Sequence, residues 1–186
     1  VDPADRGRVV EALRSQQVFA EYDAEGRLTL ATGVQIPGAL DDVYRRAAAE
    51  RLGPQFHSGR PSLAVWAPTA RTVELELFDT PTSVAAVKQM RRDDATGVWK
   101  IAGERSWSGR YYRFRVTAWQ PAAQAVVTAS ITDPYSVALS ANSTHSQLVD
   151  LNDPALAPPD WRGLRKPALP ARPQIQEVHV RDFSIA

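Results

Sequence analysis

Tyr111–Trp119, with the sequence Tyr-Tyr-Arg-Phe-Arg-Val-Thr-Ala-Trp, is the stretch that decides the fold. Apolar side chains at Tyr112, Phe114 and Val116 alternate with positions that are mostly polar. A period of two places successive side chains on opposite faces of an extended backbone. The stretch therefore predicts a β-strand with one face in the core and one face turned outward.

The same period recurs on both sides of this strand, beginning at Pro61. Glycine-containing turns at residues 93–97 and 107–109 separate the extended runs, and short strands at this spacing are typical of an antiparallel β-sandwich. Glu74 and Glu76 predict a solvated acidic face on one of them. The runs are Leu63–Ala67, Val73–Leu77, Val98–Ile101, Tyr111–Trp119 and Val126–Thr132.

The residues before Pro61 predict a small α/β segment. Asp2 and Pro3 favour a helix start, with the helix over Ala4–Gln16. The runs Val18–Tyr22 and Leu28–Val34 flank a turn and indicate a β-hairpin. A second helix is expected from Pro37, with Gly53 ending it.

The carboxyl-terminal part of the chain has a different composition. Six prolines between positions 154 and 173 oppose both helix and central strand, and they predict an extended linker. Gln176–Phe183 predicts a buried strand with no following element on which to pair. We therefore expect the chain to be the front of a larger protein whose chemistry lies beyond Ala186. The predicted domains are 1–60, an α/β segment; 61–153, the sandwich; 154–173, the linker; and 174–186, a strand of a further domain.

Composition limits the classes of function. The 186 residues are 44% hydrophobic and 23% charged, which is usual for a soluble globular protein. A net charge of +1 without a basic stripe predicts no nucleic-acid partner. There is no cysteine, which excludes disulfides and thiolate chemistry, and no apolar run is long enough to predict a membrane span.

Motifs for catalysis or metal binding are not found. His57, His145 and His179 are far apart and lack metal-ligand spacing, so neither a metal nor another cofactor is predicted. The acidic pairs at 41–42 and 93–94 fit a helix start and a turn. We predict no catalytic residue in this chain.

The aromatic residues are more informative. The chain has five tryptophans, and exposed Trp or Tyr rings can stack on the C–H faces of sugars. Trp119 falls on the outward face of its strand with Tyr111 and Arg113, so these three residues are the candidate carbohydrate-binding site. The alternative is a face that is merely solvated, and Trp99 and Trp107 are expected in the core or in turns.

Several motifs, in the same order, resemble the amino-terminal region of type I pullulanases and limit dextrinases, which are debranching enzymes of glycoside hydrolase family thirteen. The resemblance covers most of Leu28–Ile185. The motifs include Ala31-Thr32-Gly33-Val34-Gln35-Ile36-Pro37-Gly38, Trp66-Ala67-Pro68-Thr69-Ala70, Thr132-Asp133-Pro134-Tyr135 and His179-Val180-Arg181-Asp182-Phe183-Ser184.

This resemblance implies an immunoglobulin-like module of carbohydrate-binding family forty-eight placed before a (β/α)8 barrel, with Gln176–Phe183 as the first barrel strand. The parent enzyme would hydrolyse α-1,6-glucosidic linkages by a retaining mechanism that uses two carboxyl groups. Those groups lie on later barrel strands in the family. The 186-residue chain alone is therefore expected to be inactive.

The implied partners are α-glucans (pullulan, amylopectin and limit dextrin) through the parent enzyme, and the downstream catalytic barrel, which the module would brace. Tyr112-Arg113-Phe114 followed by Trp119 resembles the glucan-contacting Tyr-Lys-Phe strand and Trp of glycogen-binding modules, with Arg in place of Lys. The parent would be a bacterial-type enzyme, secreted or cytoplasmic. The alternative is an autonomous glucan-binding or protein-interaction module without an enzymatic parent.

Overall fold

The structure is a computed structural model that describes residues 3–166, 168–169 and 172–184. It contains two compact units, Val1–Asp150 and Leu151–Ala186. The first unit holds a β-hairpin, two short helices and a two-sheet sandwich. The mainly β class and the antiparallel sheets predicted from the sequence are confirmed.

The elements of the first unit follow one another closely. Two 3-10 segments, Pro3–Arg8 and Arg45–Ala49, adjoin the helices. In chain order the elements are α1 (Val9–Ala12), β1 (Val18–Tyr22), β2 (Leu28–Gly33), α2 (Pro37–Val43), β3 (Gly53–His57), β4 (Arg60–Trp66), β5 (Thr72–Phe78), β6 (Ala86–Gln89), β7 (Arg91–Asp93), β8 (Val98–Ala102), β9 (Tyr111–Gln120), β10 (Ala125–Ile131) and β11 (Ser146–Gln147).

The sandwich is built from two antiparallel sheets. One has the order β10-β9-β5-β6, with β11 also paired to β9, and the other has the order β3-β4-β8-β7. Inward side chains of both sheets form a single apolar core in which Leu75, Tyr112 and Phe114 are fully buried. Tyr112 and Phe114 meet edge to face with ring centroids 5.7 Å apart. The alternation in Tyr111–Trp119 therefore predicted the buried face of β9 correctly.

The segment before the sandwich differs from the prediction in three places. The helix expected over Ala4–Gln16 is a 3-10 turn followed by the single α-turn of α1, and Asp2 lies outside the described residues. The second helix ends at Val43 and continues as 3-10. Gly53 begins β3, a strand the sequence analysis did not predict, because its pairing with β4 depends on a neighbour rather than on its own pattern.

The second unit contains two 3-10 turns, Pro154–Leu156 and Trp161–Gly163, and the helix α3 (Val180–Ser184). The strand predicted over Gln176–Phe183 is not formed in this structure, in which residues 174–179 have no regular structure and α3 follows. A strand requires hydrogen bonds from a neighbouring strand, whereas a helical turn satisfies its own, such as Phe183 N–H to the His179 carbonyl at 2.9 Å. The described part of the chain supplies no strand that pairs with this segment.

Candidate functional site

The candidate site is the outer face of the sheet β10-β9-β5-β6, named here the outer face and defined by alternate residues of β9 from Tyr111 to Trp119 and their neighbours on β5. The two strands pair in a fixed antiparallel register, which places Glu76 opposite Arg113 and Glu74 opposite Arg115. Because the inward residues between them are held in the core, the outward side chains have fixed neighbours.

The Arg113 side chain already has partners within its own sheet. Its Nε and Nη2 lie 3.3 and 3.2 Å from Glu76 Oε2, and its guanidinium carbon lies 5.1 Å from the centre of the Phe78 ring. Glu76 is only 9% exposed. The guanidinium therefore already has an ionic partner and an aromatic partner before any ligand arrives.

Arg115 forms a second ion pair beside that of Arg113, two residues further along β9. Its Nε and Nη2 lie 2.7 and 2.6 Å from Glu74 Oε2, and Gln89 of β6 donates to the other oxygen of the same carboxylate. The prediction that Glu74 and Glu76 form a solvated acidic face is thus wrong. Each carboxylate lies opposite an arginine of the neighbouring strand. The residue pattern within a single strand cannot predict which residues will lie opposite it.

Trp119 lies at the far end of β9, opposite Val126 of β10. It is partly buried and lines a cleft of about 340 Å³ whose other walls include Leu13, Gln35 and Thr69. Its indole N–H is buried and finds no hydrogen-bond partner in the described part of the chain. The ring therefore faces the amino-terminal segment instead of forming an open platform.

The structure does not bring the three predicted site residues together. Tyr111 begins β9 opposite Phe78, eight positions from Trp119, and Arg113 is six positions from Trp119. At about 3.3 Å per residue these separations are about 26 and 20 Å. A single glucose ring cannot contact Trp119 and either of the other two residues.

One residue near Arg113, His145, was not predicted as part of this face. His145 is 6% exposed and meets the Phe78 ring edge-on at 4.6 Å, covering the end of the outer face near Tyr111. Burial is the main cause that lowers the pKa of His145, and the charge of Arg113 adds to it. No local signal marks this contact, since 67 positions separate Phe78 and His145 in the sequence.

Asp133 is the most deeply buried carboxyl group of the described residues, at 3% exposure. The Tyr112 hydroxyl donates to its Oδ2 at 2.8 Å, and the Tyr135 N–H donates to Oδ1 at 2.8 Å. Burial raises the pKa of Asp133 and that of the Tyr112 hydroxyl. Because both oxygens bind protein donors, this carboxyl anchors the chain after β10 to the core and is not available for acid–base chemistry.

In residues 3–166, 168–169 and 172–184 no three His, Asp or Glu side chains are grouped as metal ligands. Within the same residues no helix has the length and apolar character needed to cross a bilayer.

Two family models match separate parts of the first unit. Residues 51–136 match the family model of carbohydrate-binding module 48, described as the isoamylase N-terminal domain. Residues 1–42 match the model of the pullulanase N2 domain. The sandwich is thus similar to a carbohydrate-binding module, and the hairpin segment is similar to a different module that precedes it.

Individual relatives extend this similarity to nearly the whole chain. A pullulanase of Klebsiella pneumoniae is 38% identical over 97% of this chain, and the chloroplastic pullulanase 1 of Arabidopsis thaliana is 36% identical over 94%. The crystal structure of the apo Klebsiella enzyme superimposes with a TM-score of 0.81 and 39% identity over 87% of the chain. The resemblance to the amino-terminal region of pullulanases is therefore confirmed. The chain spans only 17% and 18% of the lengths of the two relatives.

Proposed function

We propose that this chain serves as the non-catalytic amino-terminal part of a pullulanase-type debranching enzyme whose catalytic barrel hydrolyses α-1,6-glucosidic linkages. The observation that carries the proposal is the similarity of 97% of the chain to one Klebsiella pneumoniae pullulanase. The role of the sandwich in this proposal is to brace the barrel. Its outer face supports this role, because Arg113 and Arg115 already bind carboxylates of their own sheet.

The proposal is tested by exchanging the corresponding segment of the Klebsiella enzyme for this chain. We expect the chimera to hydrolyse pullulan and to unfold at nearly the same temperature as the parent, whereas deletion of the segment lowers the unfolding temperature. The 186-residue chain alone should release no reducing ends from pullulan. A chimera no more stable than the deletion variant, or hydrolysis by the isolated chain, contradicts the proposal.

The proposal includes contact between α-glucan and Trp119, Arg113 and Tyr111. A crystal structure of the Klebsiella relative is described as complexed with maltotriose, which supports glucan as the ligand class. We expect Trp119 to contribute most, since its indole N–H is unpaired and Arg113 is engaged by Glu76. Affinity electrophoresis in amylopectin should show less retardation of Trp119→Ala than of wild type, with smaller effects of Arg113→Ala and Tyr111→Ala. Equal retardation of all four proteins would reject these residues.

A further inference from the structure

A second cleft lies where α2 and the 3-10 segment after it pass Trp66 at the end of β4. It has a volume of about 430 Å³, within the range of small-molecule sites. Trp66 is the last residue of β4. Its side chain points away from the apolar core, to which the side chain of the preceding residue, Val65, belongs. α2 and the 3-10 segment after it form the other wall, with Tyr44, Ala47 and Leu52 among the lining residues. This is named the Trp66 cleft.

The aromatic residues of the Trp66 cleft are held in fixed positions. The Trp66 indole N–H donates to the Thr96 carbonyl at 3.0 Å. The Tyr44 hydroxyl accepts from Arg92 Nη2 at 2.9 Å, and the Arg92 guanidinium lies 5.7 Å from the centre of the Tyr44 ring. The cleft is thus preorganised, so a ligand would lose little binding energy to ordering these side chains.

The rim of the cleft carries one acceptor and one donor that are both free. Asp41 and Arg45 line the cleft four positions apart, and both are exposed. Neither side chain makes a hydrogen bond or an ion pair within the described residues, although residues at this spacing can pair on a helix. A carboxylate only accepts and a guanidinium only donates, so together they offer both halves of a hydroxyl's hydrogen bonding.

This combination selects a class of ligand. The charges of Asp41 and Arg45 are opposite, so the rim gives a simple anion or cation no net attraction, and a wholly apolar ligand would use neither group. A neutral ring with an apolar C–H face and hydroxyl groups at its edge satisfies the indole surface and both rim charges. We propose that the Trp66 cleft binds one sugar ring of an α-glucan chain. The inference rests on the proposed function only for the identity of the sugar polymer.

The test is a calorimetric titration of the 186-residue chain with maltohexaose. Arg45→Ala and Asp41→Asn should each weaken binding about tenfold, the effect of one hydrogen bond to a charged group. Both residues are exposed and unpaired, so folding should be unaffected. Arg46→Ala and Asp42→Asn are matched controls, because they remove the same charges from neighbouring positions that do not line the cleft. Trp66→Ala should abolish binding at this site.

The result that overturns the inference is the absence of maltohexaose binding, or binding that Arg45→Ala and Asp41→Asn leave unchanged. Loss of binding in Trp119→Ala alone would assign the ligand to the other cleft and also overturn it. Because the titration uses the isolated chain and the bracing role is tested in the chimera, failure of one does not imply failure of the other.

Discussion

Gly53 combines a positive backbone φ of +78° with close packing. A Cβ atom at this position would lie 2.7 Å from Tyr135 Cβ and 2.9 Å from the Tyr135 carbonyl oxygen. These distances are too short for any side chain, so glycine is required on two independent grounds.

We predict that Gly53→Ala lowers the free energy of unfolding by about 2–5 kcal/mol, the sum of left-handed backbone strain and overpacking. Gly109→Ala is the matched control, since Gly109 has a φ of +81° and nothing within 4 Å of the added atom. It should cost only the backbone part, about 1–2 kcal/mol. Urea unfolding measures both values, and equal losses would show that the contact with Tyr135 is unimportant.

Asp133 gives the protein a predicted dependence of stability on pH. Burial raises its pKa in the folded state, so its contribution to stability is fully present below the unfolded pKa and is lost as the pH rises through the folded pKa. Asp133→Asn removes this titration and keeps an oxygen for the Tyr135 N–H. The free energy of unfolding of wild type minus that of Asp133→Asn should therefore increase on going from about pH 7 to about pH 4. A difference that is constant or decreases over this interval would contradict the assignment.

Among the elements, the hairpin β1–β2 contributes no residue to the apolar core. Every residue of both strands is exposed, including Phe19 at 53% and Tyr22 at 61%. An isolated two-stranded hairpin is marginally stable because it buries little apolar surface. β5 and β9, in contrast, carry the fully buried Leu75 and Phe114.

We predict that amides of Phe19 and Ala20 exchange with solvent at least about a hundredfold faster than those of Leu75 and Phe114, since local opening of the hairpin leaves the core intact. Hydrogen exchange followed by NMR at neutral pH measures the ratio residue by residue. Equal protection would show that the hairpin opens only when the sandwich unfolds.

At the scale of the whole molecule, the two units differ in burial. In the second unit no described side chain is buried, whereas the first unit contains the entire apolar core. Exposed backbone without sheet hydrogen bonds is the preferred substrate of proteases.

Trypsin is therefore predicted to cut first after Arg162 or Arg165, leaving a product that begins at Val1 and contains all of the sandwich. Arg113 and Arg115 are internal controls, because they lie within the paired strand β9. Mass spectrometry of the early products identifies the sites. Early cleavage after Arg113 or Arg115 would contradict the structure.

What the sequence determined by itself is the presence of seven strands, β1, β2, β4, β5, β8, β9 and β10, and the inward face of each sandwich strand with a clear alternation. Tyr112 and Phe114 were assigned to the core from a period of two, and the structure buries both. This succeeds because side-chain alternation is a property of the backbone of one strand. The ordered motifs also identified the similarity to pullulanases before any contact was known.

Only the tertiary structure decided what each outward side chain meets. The ion pair between Glu76 and Arg113 joins residues 37 positions apart. The ring contact between Phe78 and His145 joins residues that are still further apart in the sequence. Trp66 becomes part of a cleft only when α2 lies beside β4. For the same reason the strand expected over Gln176–Phe183 depends on a partner that no local pattern can supply. Strand register and the docking of separate segments are long-range choices, made by the burial of a shared core, and they are not encoded in the period of any single stretch.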